Sequence, residues 1–527
     1  MPEVALIFLL FYLYAGGPPP DVNEAHYLAK ARHYWDPSWC PGDHFLDSRD
    51  AHLVFNWTFG WLTRLFPLPA VAWIGRVLTW GLLAWAWRRL SVAVVPVKLM
   101  SLLSAALMLV LLRNLHLAGE WMVGGVEAKG FAFVLVLLGL EAMVRDRWRS
   151  TWLLLGAASA FHVLVGGWTV IAVGVAWLWR GRGRPSLVSM LPALIGGLLL
   201  ALPGLISGLL LTIGVETRTV ELANQIYVFE RLSHHLVVPW RDGLLLGRTF
   251  ALFTIWLVMC VLTWRMEAAR RLNGYVLGAV LIALTGAAID LTLRNSQPEL
   301  AASLLRYYWF RTSDVALPLG TALGACALAA HWRAARPRVT EAALSAAILL
   351  AAVGIGEVVC RRMLDPRPLA DAQSLPTGKT AEDRDKIYRD WKAVCRWIRE
   401  ETPPDARFLT PQMQQTFKWY AQRSEAVTWK DVPQDAPSLV EWWRRYRILY
   451  PEYPDQDGTM KRGLAAYDDA NLAILAHHYG AQYVVIDRTR SRYRPSFHLM
   501  YPDLMHDNAT YAVYKIPDPL ESPTKDE

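Results

Sequence analysis

The chain has 527 residues, of which 54% are hydrophobic and 19% are charged, with 25 tryptophans and a formal net charge of +8. This composition excludes an ordinary soluble enzyme, because the apolar residues are clustered in segments long enough to cross a bilayer. The five cysteines are scattered and form no CxxC pair, which argues against a disulfide framework and against a cysteine zinc site. The excess positive charge lies beside apolar segments and therefore indicates lipid headgroups rather than nucleic acid.

The apolar segments predict a polytopic α-helical membrane protein with about eleven transmembrane helices. A bilayer core about 30 Å thick requires about 20 apolar residues per helix. The long segment 151–179 is expected to cross twice, with a break around His162 and the Gly166-Gly167 pair. The segments lie near 3–16, 70–87, 92–112, 129–143, 151–179, 187–213, 249–264, 275–292, 315–332 and 340–359.

Basic residues cluster at one end of these predicted helices. The positive-inside rule makes that end cytoplasmic. The clusters are Arg88-Arg89, Arg145 with Arg147 and Arg149, Arg180 with Arg182 and Arg184, Arg265 with Arg270-Arg271, and Arg333 with Arg336 and Arg338. The extracytoplasmic side then carries the loop 17–57, a turn at 114–128, the loops 214–248 and 293–314, and everything after residue 360.

After Cys360 no segment is apolar enough to span a membrane. The sequence predicts a transmembrane domain over 1–360, a linker over 361–385 and a small extracytoplasmic α/β domain over 386–527. Helical spacing of apolar residues predicts helices at 385–401, 437–448 and 469–479. Short β-branched and aromatic runs predict strands at 407–410, 426–429, 482–486 and 510–514.

The first outer loop is the strongest candidate site, because it is far richer in titratable side chains than a connection needs to be. Asp21 and Glu24 precede Tyr27 at the start of an amphipathic helix, Glu24–Trp35, which is expected to lie along the bilayer surface. Glu24 is either a carboxylate that stabilises the helix N-terminus or a general base that faces a membrane cavity. Both interpretations remain open on the sequence.

The same loop raises the question of a metal. Its histidines, His26, His33, His44 and His52, match no zinc-ligand spacing, so zinc is not expected. Its carboxylates suit a loosely held Mg²⁺ or Mn²⁺ that bridges to a substrate phosphate. No residue is assigned to such an ion.

The remaining outer segments add candidate substrate-binding residues. The second turn, GEWMVGGVEAKG, contributes Glu120, Glu127 and Lys129, as either a structural ion pair or a substrate-facing group. The third and fourth loops place cations where the positive-inside rule expects few. They contribute His234, His235, Arg241, Arg306 and Arg311 as phosphate-binding candidates, with an interfacial arginine belt as the alternative.

The stretch PDVNEAHYLAKARHYW resembles the start of the first outer loop in the GT-C superfamily of polytopic glycosyltransferases. That resemblance covers the membrane half and implies a GT-C-like fold, a catalytic acidic residue in this loop and a sugar donor linked to polyprenyl phosphate. Asn23 stands where several members have the first acid of an Asp-Glu pair, which leaves Glu24 as the base, supported by Asp21 or Glu127. Other stretches, among them GGVEAKGFAF, FHVLVGGW and RYYWFRTSD, resemble a bacterial membrane family of unknown chemistry that is abundant in planctomycetes.

These features together predict an integral-membrane glycosyltransferase of the bacterial inner membrane. It would transfer a sugar from a polyprenyl-phosphate donor to a glycan, lipid or protein acceptor on the extracytoplasmic face. The alternative is a membrane transporter or a scaffold that binds glycan lipids without catalysis. Against a transporter, most ionisable residues lie at the ends of the predicted helices and the two halves of the chain do not look alike.

Overall fold

The computed structural model of this chain describes residues 2–454, 460–489 and 493–518. It is mostly helical, with a small sheet near the C-terminal end. The helices of the first 364 residues are α1 (Pro2–Ala15), α2 (Glu24–Trp35), α3 (His44–Asp47), α4 (Leu53–Thr58), α5 (Leu68–Val94), α6 (Met100–Leu115), α7 (Ala128–Val144), α8 (Trp148–Phe161), α9 (Val163–Trp179), α10 (Leu187–Leu209), α11 (Thr217–Gln225), α12 (Ser233–Leu236), α13 (Gly243–Leu262), α14 (Glu267–Leu293), α15 (Pro298–Leu305), α16 (Arg311–Trp332) and α17 (Pro337–Leu364). A π-helical segment, Ile226–Arg231, follows α11.

The later part of the chain mixes helices and strands. Its helices are α18 (Leu369–Ser374), α19 (Ala381–Glu401), α20 (Phe417–Ala421), α21 (Ala436–Leu449) and α22 (Asp469–His478). Its strands are β1 (Arg407–Leu409), β2 (Ser424–Glu425), β3 (Glu452–Pro454), β4 (Met460–Arg462), β5 (Tyr483–Asp487), β6 (His498–Tyr501) and β7 (Tyr511–Lys515).

The chain divides into two compact units, each assembled from separated segments. The first, here called the membrane unit, comprises the chain up to Gly17, Ala51–Phe55 and Trp73–Pro366. The second, here called the mixed unit, comprises Pro18–Asp50, Asn56–Ala72 and the chain from Arg367 onward. Most of the first outer loop therefore belongs to the same unit as the sheet.

Six helices of the structure, α5, α10, α13, α14, α16 and α17, are long and apolar enough to cross a membrane, which marks a multi-pass membrane protein. The predicted total of eleven spans is not confirmed. The helices α1, α6, α7, α8 and α9 have 14 to 17 residues, so at about 1.5 Å per residue they fall short of a full bilayer core. The predicted break in segment 151–179 is present, and the His162 side chain caps α9 by accepting the Val165 N–H at 3.3 Å.

The mixed unit is built on a five-stranded sheet with the order β2-β1-β5-β7-β6. β1 pairs in parallel with β2 and β5, whereas β7 pairs antiparallel with β5 and β6. One face of the sheet packs on α19 through Trp391, Val394 and Ile398, all buried. α19 begins at a Thr380 cap, whose hydroxyl accepts the Asp383 N–H.

One predicted strand is misplaced. The expected strand at 426–429 is instead β2 at Ser424–Glu425. The ladder ends early because the Trp429 N–H turns to the Gln412 carbonyl at 3.3 Å and the Trp429 ring stacks near Trp442. The other three predicted strands and the three predicted helices are present within a few residues of their expected bounds.

α2 has the predicted bounds, but it is buried on more than its apolar side. Leu28 and Ala31 are fully buried, as expected. The charged Glu24 is also fully buried, and Lys30 is only 9% exposed. The Lys30 ammonium donates to the Phe45 carbonyl at 2.7 Å and to the carbonyl and hydroxyl of Ser48 at 2.8 and 2.7 Å. Three acceptors from the chain itself make the burial of this cation possible.

Candidate functional site

The second turn of the membrane unit, between α6 and α7, is fixed by side chains from two other segments. The Asp314 carboxylate accepts the N–H groups of Leu117 and Ala118, both at 2.8 Å. The His235 Nδ1 lies 2.5 Å from the Ala118 carbonyl oxygen. The turn that carries Glu120 and Glu127 is thereby tied to the third and fourth outer segments.

A buried cluster of charges forms where α7 begins. The Lys129 ammonium lies 2.6 Å from Glu120 Oε1 and 3.7 Å from Glu127 Oε1, and 3.4 Å above the centre of the Trp121 ring. The Glu–Lys ion pair that the sequence suggested is therefore present, with Glu120 rather than Glu127 as the closer partner. A buried ammonium needs such partners, because an isolated one would be expensive to desolvate.

Arg311, the first residue of α16, joins this cluster from the other side. Its Nε lies 3.4 Å from Glu120 Oε2, and its guanidinium lies 3.9 Å from the centre of the Tyr308 ring. Within the part of the chain that the structure describes, Arg311 Nε and Glu120 Oε2 are buried and form no hydrogen bond. Buried polar atoms of this kind call for an additional polar partner.

The electrostatics of the cluster keep Glu120 ionised. Burial raises the pKa of its carboxyl, but Lys129 and Arg311 outweigh burial and bring the pKa to about 2. His235 behaves in the opposite way, since burial, followed by the charges of Arg311 and His234, lowers its pKa to about 2. At neutral pH Glu120 is thus a carboxylate anion, while His235 is a neutral imidazole.

A small cavity of about 20 Å³, space for about one water molecule, lies beside Arg311. Its wall combines the charged pair Glu120 and Arg311 with hydrogen-bonding and aromatic side chains, namely His162, Trp168, Thr169, Tyr275, Tyr308 and Thr312. The Tyr308 hydroxyl is 2.8 Å from that of Tyr227, and the His162 ring is 5.2 Å from the ring of His52. The wall of this small space therefore brings a guanidinium, hydroxyl groups and flat aromatic faces together.

The other predicted phosphate-binding residues do not line this cavity. Arg306 donates to the Asn224 side-chain oxygen at 2.5 Å, and both His234 and Arg241 are exposed. Of the residues proposed from the sequence, Glu127, Lys129, His235 and Arg311 gather around the second turn. The sequence had no signal for the contacts of Asp314 with Leu117 and Ala118 or of His52 with His162, because these partners are more than 100 positions apart in the chain.

The two predicted catalytic carboxylates lie in the mixed unit, at the start of α2. Glu24 is fully buried, and its Oε2 accepts the Asp21 N–H at 2.8 Å. Asp21 is partly exposed, and its Oδ1 accepts the Val22 N–H at 2.6 Å. Tyr27 is half-buried, with its ring 5.3 Å from that of His26. Glu24 thus does bond the backbone at a helix start, as one of the two sequence interpretations supposed.

A second buried charge cluster, in the mixed unit, was missed by the sequence. The Lys418 ammonium lies 2.6 Å from Glu425, 2.7 Å from Asp431 and 3.3 Å from Asp43. Burial lowers the pKa of Lys418, but the three carboxylates outweigh burial and raise it well above its usual value. Burial also raises the pKa of Glu425 to about 7. No sequence motif links Asp43 to residues almost 400 positions later.

In the described residues, no three His, Cys, Asp or Glu side chains come close enough together to hold a metal ion.

Comparisons with known proteins give a domain match and a set of distant structures. Residues 389–449 match the model of a domain of unknown function, DUF6798. No curated protein sequence matches the chain. The fold comparison returns structures of an oligosaccharyltransferase from Archaeoglobus fulgidus, at 12% identity throughout.

Three of these structures illustrate the level of similarity. The apo crystal structure has a TM-score of 0.43 and aligns over 92% of this chain and 69% of its own. The complex with Zn and sulfate has a TM-score of 0.41, over 92% and 68%. The oligosaccharyltransferase AglB in complex with an inhibitory peptide and a dolichol-phosphate has a TM-score of 0.43, over 92% and 69%. These scores are too low to establish a shared fold or activity.

Proposed function

We propose that this chain is an integral-membrane glycosyltransferase that uses a polyprenyl-phosphate-linked sugar. The observation that carries the proposal is the buried Arg311 guanidinium, paired with Glu120, beside a small cavity lined by hydroxyl and aromatic groups. The guanidinium suits a phosphate oxygen, and in this proposal the cavity widens when the donor binds so that the sugar meets the aromatic faces and hydroxyls. A helical membrane unit is the environment in which a lipid-linked donor is presented.

The reaction is a displacement at the anomeric carbon. The acceptor hydroxyl gives its proton to a carboxylate, and its oxygen forms a bond to the anomeric carbon. The bond between that carbon and the phosphate oxygen breaks, and polyprenyl phosphate leaves with the electron pair. Arg311 stabilises the charge that develops on the phosphate, in the way that preorganised donors stabilise a transition state.

The proposed base is Glu24, with Asp21 as its partner. One oxygen of Glu24 already accepts the Asp21 N–H, which would hold the carboxylate in a fixed orientation. Asp21 is the more exposed of the two, so it is the alternative base if Glu24 serves only the helix start. In this proposal Lys129 and Glu127 hold Glu120 and the second turn in place, while Arg306, Arg241 and His234 attract the anionic donor.

The proposed orientation follows the basic clusters. It puts them in the cytoplasm and puts the outer loops and the mixed unit on the extracytoplasmic face of a bacterial inner membrane. The acceptor is then a glycan, lipid or protein on that face, and the mixed unit would help to position it.

The role of Arg311 can be tested with purified protein and a panel of polyprenyl-phosphate sugars. Arg311→Gln is expected to reduce release of polyprenyl phosphate by about 100-fold or more, the usual cost of losing one charge-stabilising donor. Arg361→Gln is the matched control, since the Arg361 side chain is 70% exposed at the end of α17 and forms an i,i+4 ion pair with the exposed Glu357. Arg311→Lys, which keeps the charge, separates a folding defect from a catalytic one. Release by a folded Arg311→Gln variant at the wild-type rate would contradict the proposal.

A further inference from the structure

A second cavity, of about 430 Å³, lies in the membrane unit between two helix connections. It is formed by the connection from α7 to α8 and the connection from α9 to α10. Four arginines and one aspartate line it, which gives an excess of three positive charges: Arg147, Arg149, Arg180, Arg184 and Asp146. It shares no lining residue with the cavity beside Arg311.

The frame of this cavity is held by specific contacts. Asp146 adopts a left-handed backbone conformation with φ at +65°, which turns its carboxylate toward both connections. It accepts two hydrogen bonds from Arg180 and one, at 2.7 Å, from the Trp148 indole. On the opposite side the Trp177 indole donates to the Pro185 carbonyl at 3.0 Å. Asp146 therefore serves the frame and is not available to neutralise the remaining arginines.

Two of the four arginines have no carboxylate partner among the residues that the structure describes. Arg147 pairs with Glu141 and Arg180 with Asp146. Arg149 instead donates to the Ser189 carbonyl at 3.2 Å, and Arg184 lies over the Trp177 ring at 4.4 Å. Guanidinium groups held by neutral partners keep their full charge for an anion, and their planar forks match two phosphate oxygens.

The apolar residues beside the cavity favour a membrane lipid over a free ion as the source of the anion. α10 begins at its rim, and its first turns expose Leu187, Val188 and Leu191 by 57%, 81% and 51%. An apolar strip that starts beside a cationic cavity fits a molecule with an anionic head and a hydrocarbon tail. A free anion would bind in the cavity but would not contact the apolar strip.

We propose that this cavity binds the phosphate of a membrane lipid headgroup, with the acyl chains lying against α10. Arg149 and Arg184 contact the phosphate oxygens, while Arg180 stays paired with Asp146 in the frame of the cavity. Basic cavities beside transmembrane helices are a physical match for anionic headgroups. Arg149 and Arg184 are exposed, so a headgroup can reach both side chains.

The test compares lipid retention by the full chain in detergent micelles. The protein is mixed with phosphatidylglycerol, phosphatidylcholine or inorganic phosphate, and bound lipid is counted by native mass spectrometry while the unfolding temperature is recorded. The test variant is Arg149→Gln/Arg184→Gln. The control is Arg333→Gln/Arg338→Gln, which removes the same charge from exposed positions that line no described cavity.

We expect the wild type and the control to retain phosphatidylglycerol at least tenfold better than phosphatidylcholine, and the test variant to lose this preference. Stabilisation by inorganic phosphate to the same extent as by phosphatidylglycerol would overturn the assignment to a lipid. Equal loss in the test and control variants, or no preference in the wild type, would overturn the site. The variant Arg149→Lys/Arg184→Lys distinguishes loss of the site from a folding defect. It keeps both positive charges and should retain part of the preference for phosphatidylglycerol over phosphatidylcholine.

Discussion

Glu120 illustrates how one buried side chain organises a site. It contacts both Lys129 and Arg311, so its removal leaves two buried cations with one carboxylate, Glu127, nearby. The sequence indicated a Glu–Lys ion pair in this turn but did not decide which glutamate is the closer partner of Lys129. Which glutamate approaches more closely depends on the fold of the turn, which the sequence pattern does not specify.

The first prediction follows from that arrangement. Glu120→Gln keeps the shape and removes the charge, so it should lower the free energy of unfolding by about 3 kcal/mol, as when one partner of a buried ion pair is lost. The control Glu267→Gln alters a glutamate whose side chain is 62% exposed, and should change stability by less than about 0.5 kcal/mol. Denaturant unfolding in detergent measures both. Equal effects would contradict the importance of the buried cluster.

The cluster around Lys418 gives a prediction about pH. Burial, with the nearby Asp431 and Asp43 carboxylates, raises the pKa of Glu425 from 4.5 to about 7. The folded state therefore binds more protons than the unfolded state between these pH values, and this group's contribution to stability falls as pH rises from about 4.5 to about 7.

Glu425→Gln isolates that contribution from other titrating groups. The difference in unfolding free energy between wild type and Glu425→Gln should shift in favour of the variant as pH rises through this window, and should level off above it. Chemical unfolding at pH 4.5, 6 and 8 measures the difference. A difference that stays constant across this range would show that Glu425 does not titrate in the folded state as described.

At the scale of elements, the packing of α8 against α10 depends on glycine. A Cβ at Gly156 would lie 2.0 Å from the Gly197 carbonyl oxygen, whereas a Cβ at Gly174 meets nothing within 4 Å. The close approach is between two backbones, so a flexible side chain cannot move aside to relieve it.

Gly156→Ala should therefore destabilise the membrane unit by about 2 kcal/mol, as overpacking of a tight interface does. Gly174→Ala should be neutral or stabilising by up to about 1 kcal/mol, because alanine favours a helix. Thermal unfolding of the two variants in the same detergent measures the contrast. A Gly156→Ala protein as stable as Gly174→Ala would mean that α8 and α10 do not pack as closely as described.

The spacing of apolar residues predicted the bounds of most helices, but it did not predict which residues pack around them. The bounds of α2 and the break between α8 and α9 follow from local signals, namely the spacing of Leu28 and Ala31 and the glycines after His162. The burial of Lys30 does not follow from local signals, because its three acceptors belong to residues 15 and 18 positions later in the chain. The strand at 426–429 was misplaced for the same reason, since a contact with Gln412 decides where the ladder ends.

At the scale of the molecule, the mixed unit is discontinuous in sequence. Hydropathy alone separates the chain after residue 360 and assigns the first loop to the membrane half. The structure places Pro18–Asp50 and Asn56–Ala72 in the same unit as the sheet. Asp43 shows why, since its carboxylate accepts the N–H of Glu425 at 3.1 Å and lies beside Lys418. Long-range partners of this kind leave no pattern in a single sequence.

A fragment that begins at Arg367 should therefore fail to unfold cooperatively, because it lacks Asp43 and the other buried residues of the first loop. Fusing residues 18–72 to that fragment should restore a cooperative transition. Circular dichroism during thermal unfolding, with near-ultraviolet signals for the buried tryptophans, distinguishes the two. A cooperative transition in the shorter fragment would show that the C-terminal segment folds without the loop.

The proposed glycosyl transfer is tested most directly by one measurement, the release of polyprenyl phosphate from a panel of polyprenyl-phosphate sugars in the presence of candidate acceptors. Wild-type protein should release it, and Glu24→Gln should lose release by about 100-fold or more while still binding the donor. Glu401→Gln, an exposed carboxylate at the end of α19, should behave as wild type. A wild-type protein that binds these donors and releases nothing from any of them would contradict the account.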